Sequence, residues 1–260
     1  MPFLKIDNVD INYVTGEKGI MKGKKNLIFI HGAGGNSKIW EFQLHYFKDE
    51  YNPILIELPG HGESKGNGEK DIGSYIQWMK KIIECLDLKT CFMIGHSMGG
   101  AITLSFALKY PEYLDAVILV GTGVRLKVRQ VILDSIKEDF EGSVKLMSTF
   151  LYSEHTPAKY IEMGEEELLK TRPEILYGDF SACNTFDILN EIKKIKLPAL
   201  ITCGAEDKLT PVKYSRFLNE NINRSKLVII EDAGHMVMIE KSKEFNTEVQ
   251  DFVSALPASH

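Results

Sequence analysis

Residues 91–101 read Cys91-Phe92-Met93-Ile94-Gly95-His96-Ser97-Met98-Gly99-Gly100-Ala101, an apolar run that ends in Gly-His-Ser-Met-Gly. The pattern G-x-S-x-G is typical of a nucleophile elbow, a sharp strand-to-helix turn that holds a serine in a strained conformation with its hydroxyl exposed. Residues 90–94 predict a buried strand and residues 101–109 predict a helix, so the required context is present. The sequence therefore predicts an exposed hydroxyl at Ser97.

Composition narrows the class of protein. The chain has 260 residues, of which 44% are hydrophobic and 26% are charged, as expected of one large domain or a core domain with an insertion. A net charge of -5 without long runs of like charge argues against a nucleic-acid partner. No apolar run is long enough to cross a membrane, and the first residues lack the pattern of a signal peptide. We therefore expect a soluble, cytoplasmic protein with no stable membrane insertion.

The four cysteines carry little chemical signal. Cys85, Cys91, Cys183 and Cys203 show no C-x-x-C spacing and no Cys/His spacing typical of a metal site. Most of them lie in or beside apolar stretches. The sequence predicts buried free thiols.

Strands and helices alternate through the first half of the chain. Residues 3–7 and 9–14 predict a hairpin, because Asn8 between them tolerates a left-handed turn. Beyond it, strands are predicted at 27–30, 53–58, 90–94 and 116–120, and helices at 36–47, 71–86 and 101–109. The strands are continuous apolar runs, as in a sheet buried on both faces. This order predicts an α/β fold with a mostly parallel sheet flanked by helices.

The alternation stops between residues 123 and 195. This segment predicts helices at 124–140, 143–151, 157–169 and 173–183, with no strand between them. The alternation then resumes with a strand at 198–203, a helix at 212–221, a strand at 227–230 and a helix at 240–256. We predict a core made of residues 1–122 and 196–260, with residues 123–195 inserted as a helical cap, or lid.

The loops that follow the predicted strands carry candidate catalytic residues, since functional groups collect at the carboxyl edge of a parallel sheet. A serine hydroxyl needs a base, and His235 is the best of the seven histidines because it follows the last strand beside the flexible Gly234. An imidazole needs an orienting carboxylate. Asp207 follows the preceding strand and is the first choice, with Glu206 and Asp232 as competitors.

The chain order Ser97, Asp207, His235 is the order found in α/β-hydrolases. The sequence resembles the α/β-hydrolase superfamily, and within it the lid-bearing carboxylesterases and lipase-like serine hydrolases. The motif His31-Gly32-Ala33-Gly34-Gly35 resembles the oxyanion loop of that family, and residues 57–64 resemble its D-x-P-G-H-G-x-S segment, with Glu57 in place of the usual Asp. The resemblance covers nearly the whole chain and implies an α/β-hydrolase fold with a catalytic triad.

The resemblance also implies roles for other residues. The backbone N–H groups of Ala33 and Met98 would form the oxyanion hole, with Gly34 as the alternative to Ala33. Three polar residues, His31, His61 and Ser64, are expected to be structural.

The cap contributes apolar candidates for the substrate pocket. Phe180 and Phe186, near the point where the cap rejoins the core, either line an acyl pocket or pack the cap onto the core. The same choice stays open for four other cap residues, Met147, Phe150, Leu151 and Met163.

The resulting hypothesis is a carboxylesterase-type serine hydrolase that acts on short- to medium-chain esters through an acyl-enzyme. It needs no cofactor and no metal, and we expect a monomer or homodimer with a small-molecule ester as substrate. A serine at the elbow argues against dehalogenases and epoxide hydrolases, which carry Asp there. The alternatives on the same triad are a monoacylglycerol lipase, a C–C bond hydrolase of dienone acids and a perhydrolase. A ligand sensor built on this fold is the alternative that is not an enzyme.

Substrate charge separates one of these alternatives from the rest. A C–C bond hydrolase of dienone acids should place basic side chains near its acidic substrate. The candidates are Arg125, Lys127, Arg129 and Arg172. These side chains could equally well lie on helix faces that are exposed to solvent.

Overall fold

A single sheet of eight strands forms the centre of the protein. The structure is a computed structural model that describes residues 3–257. Its strands are β1 (Phe3–Ile6), β2 (Val9–Thr15), β3 (Asn26–Ile30), β4 (Asn52–Ile56), β5 (Cys91–His96), β6 (Leu114–Val120), β7 (Ala199–Gly204) and β8 (Ser225–Ile230). They lie in the order β1-β2-β4-β3-β5-β6-β7-β8. The β1/β2 and β2/β4 pairs are antiparallel and the other pairs are parallel, which confirms the mostly parallel sheet.

Ten α-helices accompany the described strands. Six of them lie outside the segment between β6 and β7, and we refer to these six and the sheet as the core: α1 (Glu41–Phe47), α2 (Ile72–Cys85), α3 (Met98–Lys109), α8 (Val212–Asn221), α9 (Val237–Glu240) and α10 (Ser242–Ala255). Four more lie between β6 and β7: α4 (Gln130–Glu138), α5 (Phe140–Leu151), α6 (Ala158–Leu169) and α7 (Pro173–Thr185). We refer to α4–α7 as the cap helices.

Both faces of the sheet are buried, since a separate apolar cluster that includes helix residues packs on each face. Successive strand residues point to opposite faces and so belong to different clusters. Ile28 and Ile30 belong to the cluster that includes the apolar residues of α2, α3 and α8. Leu27 and Phe29 belong to the opposite cluster, which includes residues of α1 and α10. This explains why the strands read as continuous apolar runs in the sequence.

Several predicted boundaries are wrong. Residues 124–129 precede α4 and are not helical, because Arg125 pairs with Asp187 in an antiparallel bridge where the chain enters and leaves the cap helices. The closing helix predicted at 240–256 is α10, which begins at Ser242 because Lys241 has a non-helical backbone, and the short helix α9 before it was not predicted.

The predicted hairpin is confirmed, with Asp7 and Asn8 at positive φ between β1 and β2. Three cysteines are buried as free thiols, as expected, whereas Cys85 is exposed at the end of α2. Within residues 3–257, none of the helices is long and apolar enough to cross a membrane.

The turn at Ser97 depends on three glycines that leave no room for a side chain. Ser97 has φ 54° and ψ -114°, a conformation that is strained for a residue with a Cβ. A Cβ on Gly95 would lie 2.1 Å from the carbonyl oxygen of Gly99, and one on Gly100 would lie 2.5 Å from Thr122 Cγ2. The glycines therefore let α3 start directly against the sheet.

We expect Gly99→Ala to lower the free energy of unfolding by about 1–3 kcal/mol, the usual effect of forcing extra atoms into a packed interior. The added Cβ would lie 2.4 Å from the carbonyl oxygen of Ile30, and this backbone atom cannot move aside easily. The matched control is Gly73→Ala, at the second position of α2, where only the Asp71 carboxylate lies within 4 Å, at 3.0 Å. That change should leave stability unchanged or raise it by up to about 1 kcal/mol. Urea denaturation checks both values, and equal stabilities for the two variants would contradict the packing account.

Candidate active site

Ser97 lies at the carboxyl end of β5, where the loops after β3, β7 and β8 also meet. Its N–H donates to Val120 O at 2.9 Å, and its carbonyl oxygen accepts from Thr122 Oγ1 at 2.9 Å. These bonds fix the backbone of the strained turn against β6. The side chain borders a cavity and, within residues 3–257, its hydroxyl forms no hydrogen bond.

His235 and Asp207 form a buried pair in the loops after β8 and β7. The His235 Nδ1–H donates to Asp207 Oδ2 at 2.8 Å, and both side chains are almost completely buried. Thr210 donates to the same carboxylate through its N–H at 2.8 Å and its hydroxyl at 2.7 Å. Burial by itself raises the pKa of Asp207, but the imidazole and these donors lower it, and the net direction is downward. Asp207 is therefore held as a carboxylate that accepts a hydrogen bond from the His235 Nδ1–H.

The two competing carboxylates lie elsewhere. Glu206 Oε1 is 3.6 Å from His155 Nε2 at the surface, and Asp232 Oδ2 is 3.3 Å from Lys241 Nζ. His155, Glu206 and Asp232 have ligand atoms within 4.8 Å of one another, so this surface cluster is where a metal ion could be held. None of the three lines the cavity beside Ser97. The structure thus brings Asp207, and neither of its competitors, against His235.

Gly121 and His96 lie next to the Asp207–His235 pair. Gly121 leaves room for the two side chains, and His96 holds the backbone of His235. Gly121, with φ 52°, lies so close that a Cβ there would be 3.2 Å from both Asp207 Oδ2 and His235 Nδ1. His96 Nε2–H donates to the carbonyl oxygen of His235 at 3.1 Å. Burial, followed by the neighbouring His235, holds the pKa of His96 well below its usual value, so His96 is neutral. His96 occupies the first variable position of G-x-S-x-G, a position whose identity the motif leaves open, so sequence reasoning missed this contact.

The cap helices hold the loop that carries His235. The N–H groups of His235 and Met236 both donate to Leu151 O at the end of α5, at 2.9 and 3.2 Å. The Glu240 carboxylate accepts from the Gly234 N–H at 3.0 Å and from the Ser153 N–H at 2.9 Å, and so bridges this loop to the segment after α5. The position of the imidazole therefore depends on the cap as well as on the core.

The loop after β3 contains the predicted oxyanion residues. Within residues 3–257, the N–H groups of Ala33 and Met98 donate to no protein acceptor, whereas the Gly34 N–H donates to Asp179 Oδ2 at 2.7 Å. His31 braces the loop: its Nδ1–H donates to Gly32 O at 2.8 Å, and its Nε2 accepts from the Leu58 N–H at 3.2 Å. Burial, and next the neighbouring His61, lower the pKa of His31 to about 3, so it is neutral.

The segment from Glu57 to Ser64 contacts the loop after β3, because its Leu58 N–H donates to His31 Nε2. The Glu57 carboxylate accepts from Ser37 Oγ at 2.7 Å, from Asn12 Nδ2 at 2.8 Å and from the Glu63 N–H at 2.7 Å. Glu57, whose side chain is one methylene longer than that of the usual Asp, thus links three segments of the chain through Asn12, Ser37 and Glu63. Ser64 Oγ donates to Glu57 O at 2.7 Å, so it makes a structural contact of the kind that was expected.

Between the cap helices and the core lies a cavity of about 530 Å³ that contains Ser97 and His235 in its lining. Its wall is mostly apolar and includes Phe180, Met147, Phe150, Leu151 and Met163, all contributed by the cap helices. The candidate Phe186 does not line the cavity, which corrects its assignment to the substrate pocket. Its side chain is 5% exposed and packs into the core. Phe186 follows α7 where the chain returns to the core, so its side chain packs against core residues.

The basic candidates do not supply a buried cation to this cavity. Lys127 reaches the lining, but it is exposed and its Nζ donates to Asn184 O at 2.8 Å. Arg125 pairs with Asp187 at 2.8 Å, and neither Arg129 nor Arg172 lines the cavity. Acidic side chains are present instead near the wall, namely Glu41, Glu166 and Glu167. Among its described lining residues, the cavity therefore has no buried cation, and its two lysines, Lys38 and Lys127, are exposed.

Known proteins resemble this chain over most of its length. A family model described as the alpha/beta hydrolase fold matches residues 25–242. A solved structure described as a thermophilic esterase is 32% identical, with a TM-score of 0.87 over 98% of this chain and 97% of that one. The 3-oxoadipate enol-lactonase 2 of Acinetobacter baylyi is 27% identical over 95% of this chain and 94% of its own length. The 2-hydroxy-6-oxo-6-phenylhexa-2,4-dienoate hydrolase of Comamonas testosteroni is 24% identical over 87% of each chain.

These matches confirm the family that the motifs indicated. The matched range contains the elbow, the loop after β3 and the loops that carry Asp207 and His235. The sheet order and the placement of helices agree with a structure that is 32% identical to this chain. The chain therefore belongs to the α/β-hydrolase family.

Proposed function

We propose that the protein is a serine carboxylic-ester hydrolase that works through an acyl-enzyme. The observation that carries this proposal is the buried Asp207–His235 pair, whose imidazole lines the same apolar cavity as the strained Ser97. A base oriented by a carboxylate is what a serine hydroxyl needs in order to become a nucleophile. Ser97, Asp207 and His235 are thus assigned as the catalytic triad.

In the first half of the reaction, Ser97 Oγ attacks the ester carbonyl while His235 Nε2 takes the hydroxyl proton. Asp207 keeps the other ring proton on Nδ1 and stabilises the imidazolium that forms. The imidazolium then gives its proton to the departing alcohol, and the acyl group stays on Ser97. A water molecule, deprotonated by the same imidazole, releases the acid in the second half. A contact between Ser97 and His235 that tightens when substrate binds is common in such sites.

The negative charge on the tetrahedral intermediate is assigned to the N–H groups of Ala33 and Met98. Both groups are free to donate, whereas the Gly34 N–H is held by Asp179. This difference favours Ala33 over Gly34. Donors that are already in place need no reorganisation when the charge develops, which is why such sites lower the barrier.

The cap helices supply the acyl pocket in this proposal, with residues 123–195 as the cap and residues 1–122 and 196–260 as the core. Phe180 is assigned to the pocket wall, and Phe186 is not. Two of the relatives are named for acids, a dienoate and an enol-lactone of 3-oxoadipate. The apolar wall and the absence of a buried cation among the described lining residues favour neutral acyl chains for this protein.

We expect Ser97→Ala to lower kcat on p-nitrophenyl esters by at least about 10³-fold, because the nucleophile is removed while the binding surface stays intact. Ser74→Ala, at a half-buried serine in α2 that does not line the cavity, is the control and should leave kcat unchanged. Turnover by Ser97→Ala near the wild-type value would exclude the mechanism. A wild-type protein that releases one burst of p-nitrophenol and then stops would support a ligand sensor instead.

The value of kcat/KM should fall as the pH is lowered, because a protonated imidazole cannot accept the Ser97 proton. The lowered pKa of Asp207 keeps that carboxylate ionised, so the carboxylate should not contribute to this loss. The fall in kcat/KM on the acidic side of the pH–rate profile should therefore fit the protonation of a single group. A pH–rate profile measures this, and a rate that rises on acidification would contradict the role given to His235.

A neutral acyl chain should be preferred over a charged one of the same length. We expect p-nitrophenyl hexanoate to exceed the mono-p-nitrophenyl ester of adipic acid by roughly 100-fold or more in kcat/KM, since burying an unpaired carboxylate costs several kcal/mol. p-Nitrophenyl acetate, assayed beside them, reports the intrinsic chemistry. Equal rates, or efficient cleavage of a dienone acid, would show that the cavity takes acidic substrates.

A further inference from the structure

Asp179 is a buried carboxylate on α7 that the triad does not use. Its side chain is completely buried and accepts three hydrogen bonds from the core. The donors are the Gly34 N–H at 2.7 Å and His61 Nε2–H at 2.8 Å, both to Oδ2, and Tyr75 OH at 2.5 Å to Oδ1. A cap helix thus places a charge among core groups next to the loop after β3.

The charge of Asp179 is balanced by His61. The His61 Nδ1–H also donates, to Pro59 O at 3.1 Å, so both ring nitrogens face acceptors and the imidazole carries a proton on each. Burial lowers the pKa of His61, but the charge of Asp179 and its hydrogen bond raise it, and the net direction is upward. A buried ion pair of this kind is costly to break, because either partner alone would be an uncompensated buried charge.

The cap also holds the opposite side of Gly34. Thr171 Oγ1, in the segment between α6 and α7, donates to Gly34 O at 2.7 Å. Gly34 has φ 65°, and a Cβ there would lie 2.7 Å from both Leu168 Cδ1 and Leu176 Cδ1. The amide and the carbonyl of this one residue are therefore both fixed by the cap, in a backbone conformation that glycine adopts readily.

Gly34 directly follows Ala33, whose N–H is assigned to the oxyanion hole. With the Gly34 amide held by Asp179, rotation about the preceding Ala33 backbone is restricted. Because the Gly34 N–H is turned toward α7, Ala33 is left as the free donor of this loop.

We propose that Asp179 is a positioning residue for the oxyanion hole, so that the Ala33 donor is correctly placed only while α7 is docked on the core. This inference rests on the proposed ester-hydrolase function. It makes the cap part of the catalytic machinery through its contact with the loop after β3, in addition to its role as a pocket wall. Asp179 does not itself line the substrate cavity, so it acts through Gly34 and the loop after β3.

The expected kinetic signature is a loss of kcat with little change in KM. An oxyanion donor interacts with charge that exists only in the transition state, so misplacing it leaves ground-state binding unchanged. A displacement of about 1 Å at a catalytic group can lower the rate by about 10²-fold. A residue that merely packed the cap onto the core would instead change KM or thermal stability.

The experiment compares Asp179→Ala, Asp179→Asn and Thr171→Val in the full-length protein. We expect kcat on p-nitrophenyl hexanoate to fall by about 10- to 100-fold in Asp179→Ala and by a smaller factor in Asp179→Asn, whose amide oxygen can still accept from the Gly34 N–H. Thr171→Val removes the other anchor of Gly34 without touching the buried ion pair, and should lower kcat by a few-fold. Asp187→Asn, an exposed acid just after α7, is the matched control and should leave kcat and KM unchanged.

A second measurement separates positioning from general damage. An alkylboronic acid forms a tetrahedral adduct with a catalytic serine, whereas hexanamide binds as a neutral, planar analogue of the substrate. The Ki of hexylboronic acid should rise in parallel with the loss of kcat, and the Ki of hexanamide should stay constant. Thermal melts show whether each variant is folded, and if Asp179→Ala does not fold, Asp179→Asn and Thr171→Val decide the question.

The inference is overturned if the folded variants keep wild-type kcat, or if both Ki values rise together. This failure is distinct from failure of the proposed function. If Ser97→Ala is inactive while the Asp179 and Thr171 variants are fully active, the ester-hydrolase mechanism stands and the positioning role is wrong. If Ser97→Ala is active, the mechanism itself is wrong.

Discussion

The tight contact between the start of α3 and the sheet is the constraint on which the rest of the site depends. Ser97 is held at φ 54° because Gly95 and Gly99 let backbone atoms approach where a Cβ would collide with carbonyl oxygens. The turn directs Ser97 to the carboxyl edge of β5, and the parallel order of the neighbouring strands brings their loops to the same edge. Backbone strain of this kind persists only when the surrounding packing over-determines it.

The cap helices contact this edge at two points, and both points are loops that carry proposed catalytic groups. At one, Leu151 O accepts from the backbone of His235, and Glu240 bridges Gly234 to the segment after α5. At the other, Asp179 and Thr171 hold Gly34. Because the contacts go to backbone groups, they fix loop geometry whatever substrate occupies the cavity. The cap thus supports the site mechanically and encloses it at the same time.

The cavity wall is mostly apolar and contains no buried cation among the described residues. Apolar side chains from the cap helices line the same cavity as Ser97. The two lysines among its described lining residues are exposed: Lys38 is bonded to the Glu167 carboxylate and Lys127 to the Asn184 carbonyl oxygen. An ester with an uncharged acyl chain loses little on entering such a space, whereas an anion would lose its hydration without gaining a partner. This distinction separates the proposed function from those of the relatives named for acids.

The sequence by itself determined the family, the order of elements and the residues of the elbow, since periodicity and glycine spacing are local properties that a linear pattern carries. It also brought Asp207 and His235 forward as candidates, but it left Glu206, Asp232 and Gly34 open as alternatives. Only the tertiary structure placed Asp207 against His235 and turned the Gly34 N–H toward Asp179, 145 residues away. A hydrogen bond between distant segments depends on how helices and loops pack in three dimensions. In the same way, no local pattern around Phe180 and Phe186 encodes which of them lines the cavity and which packs into the core.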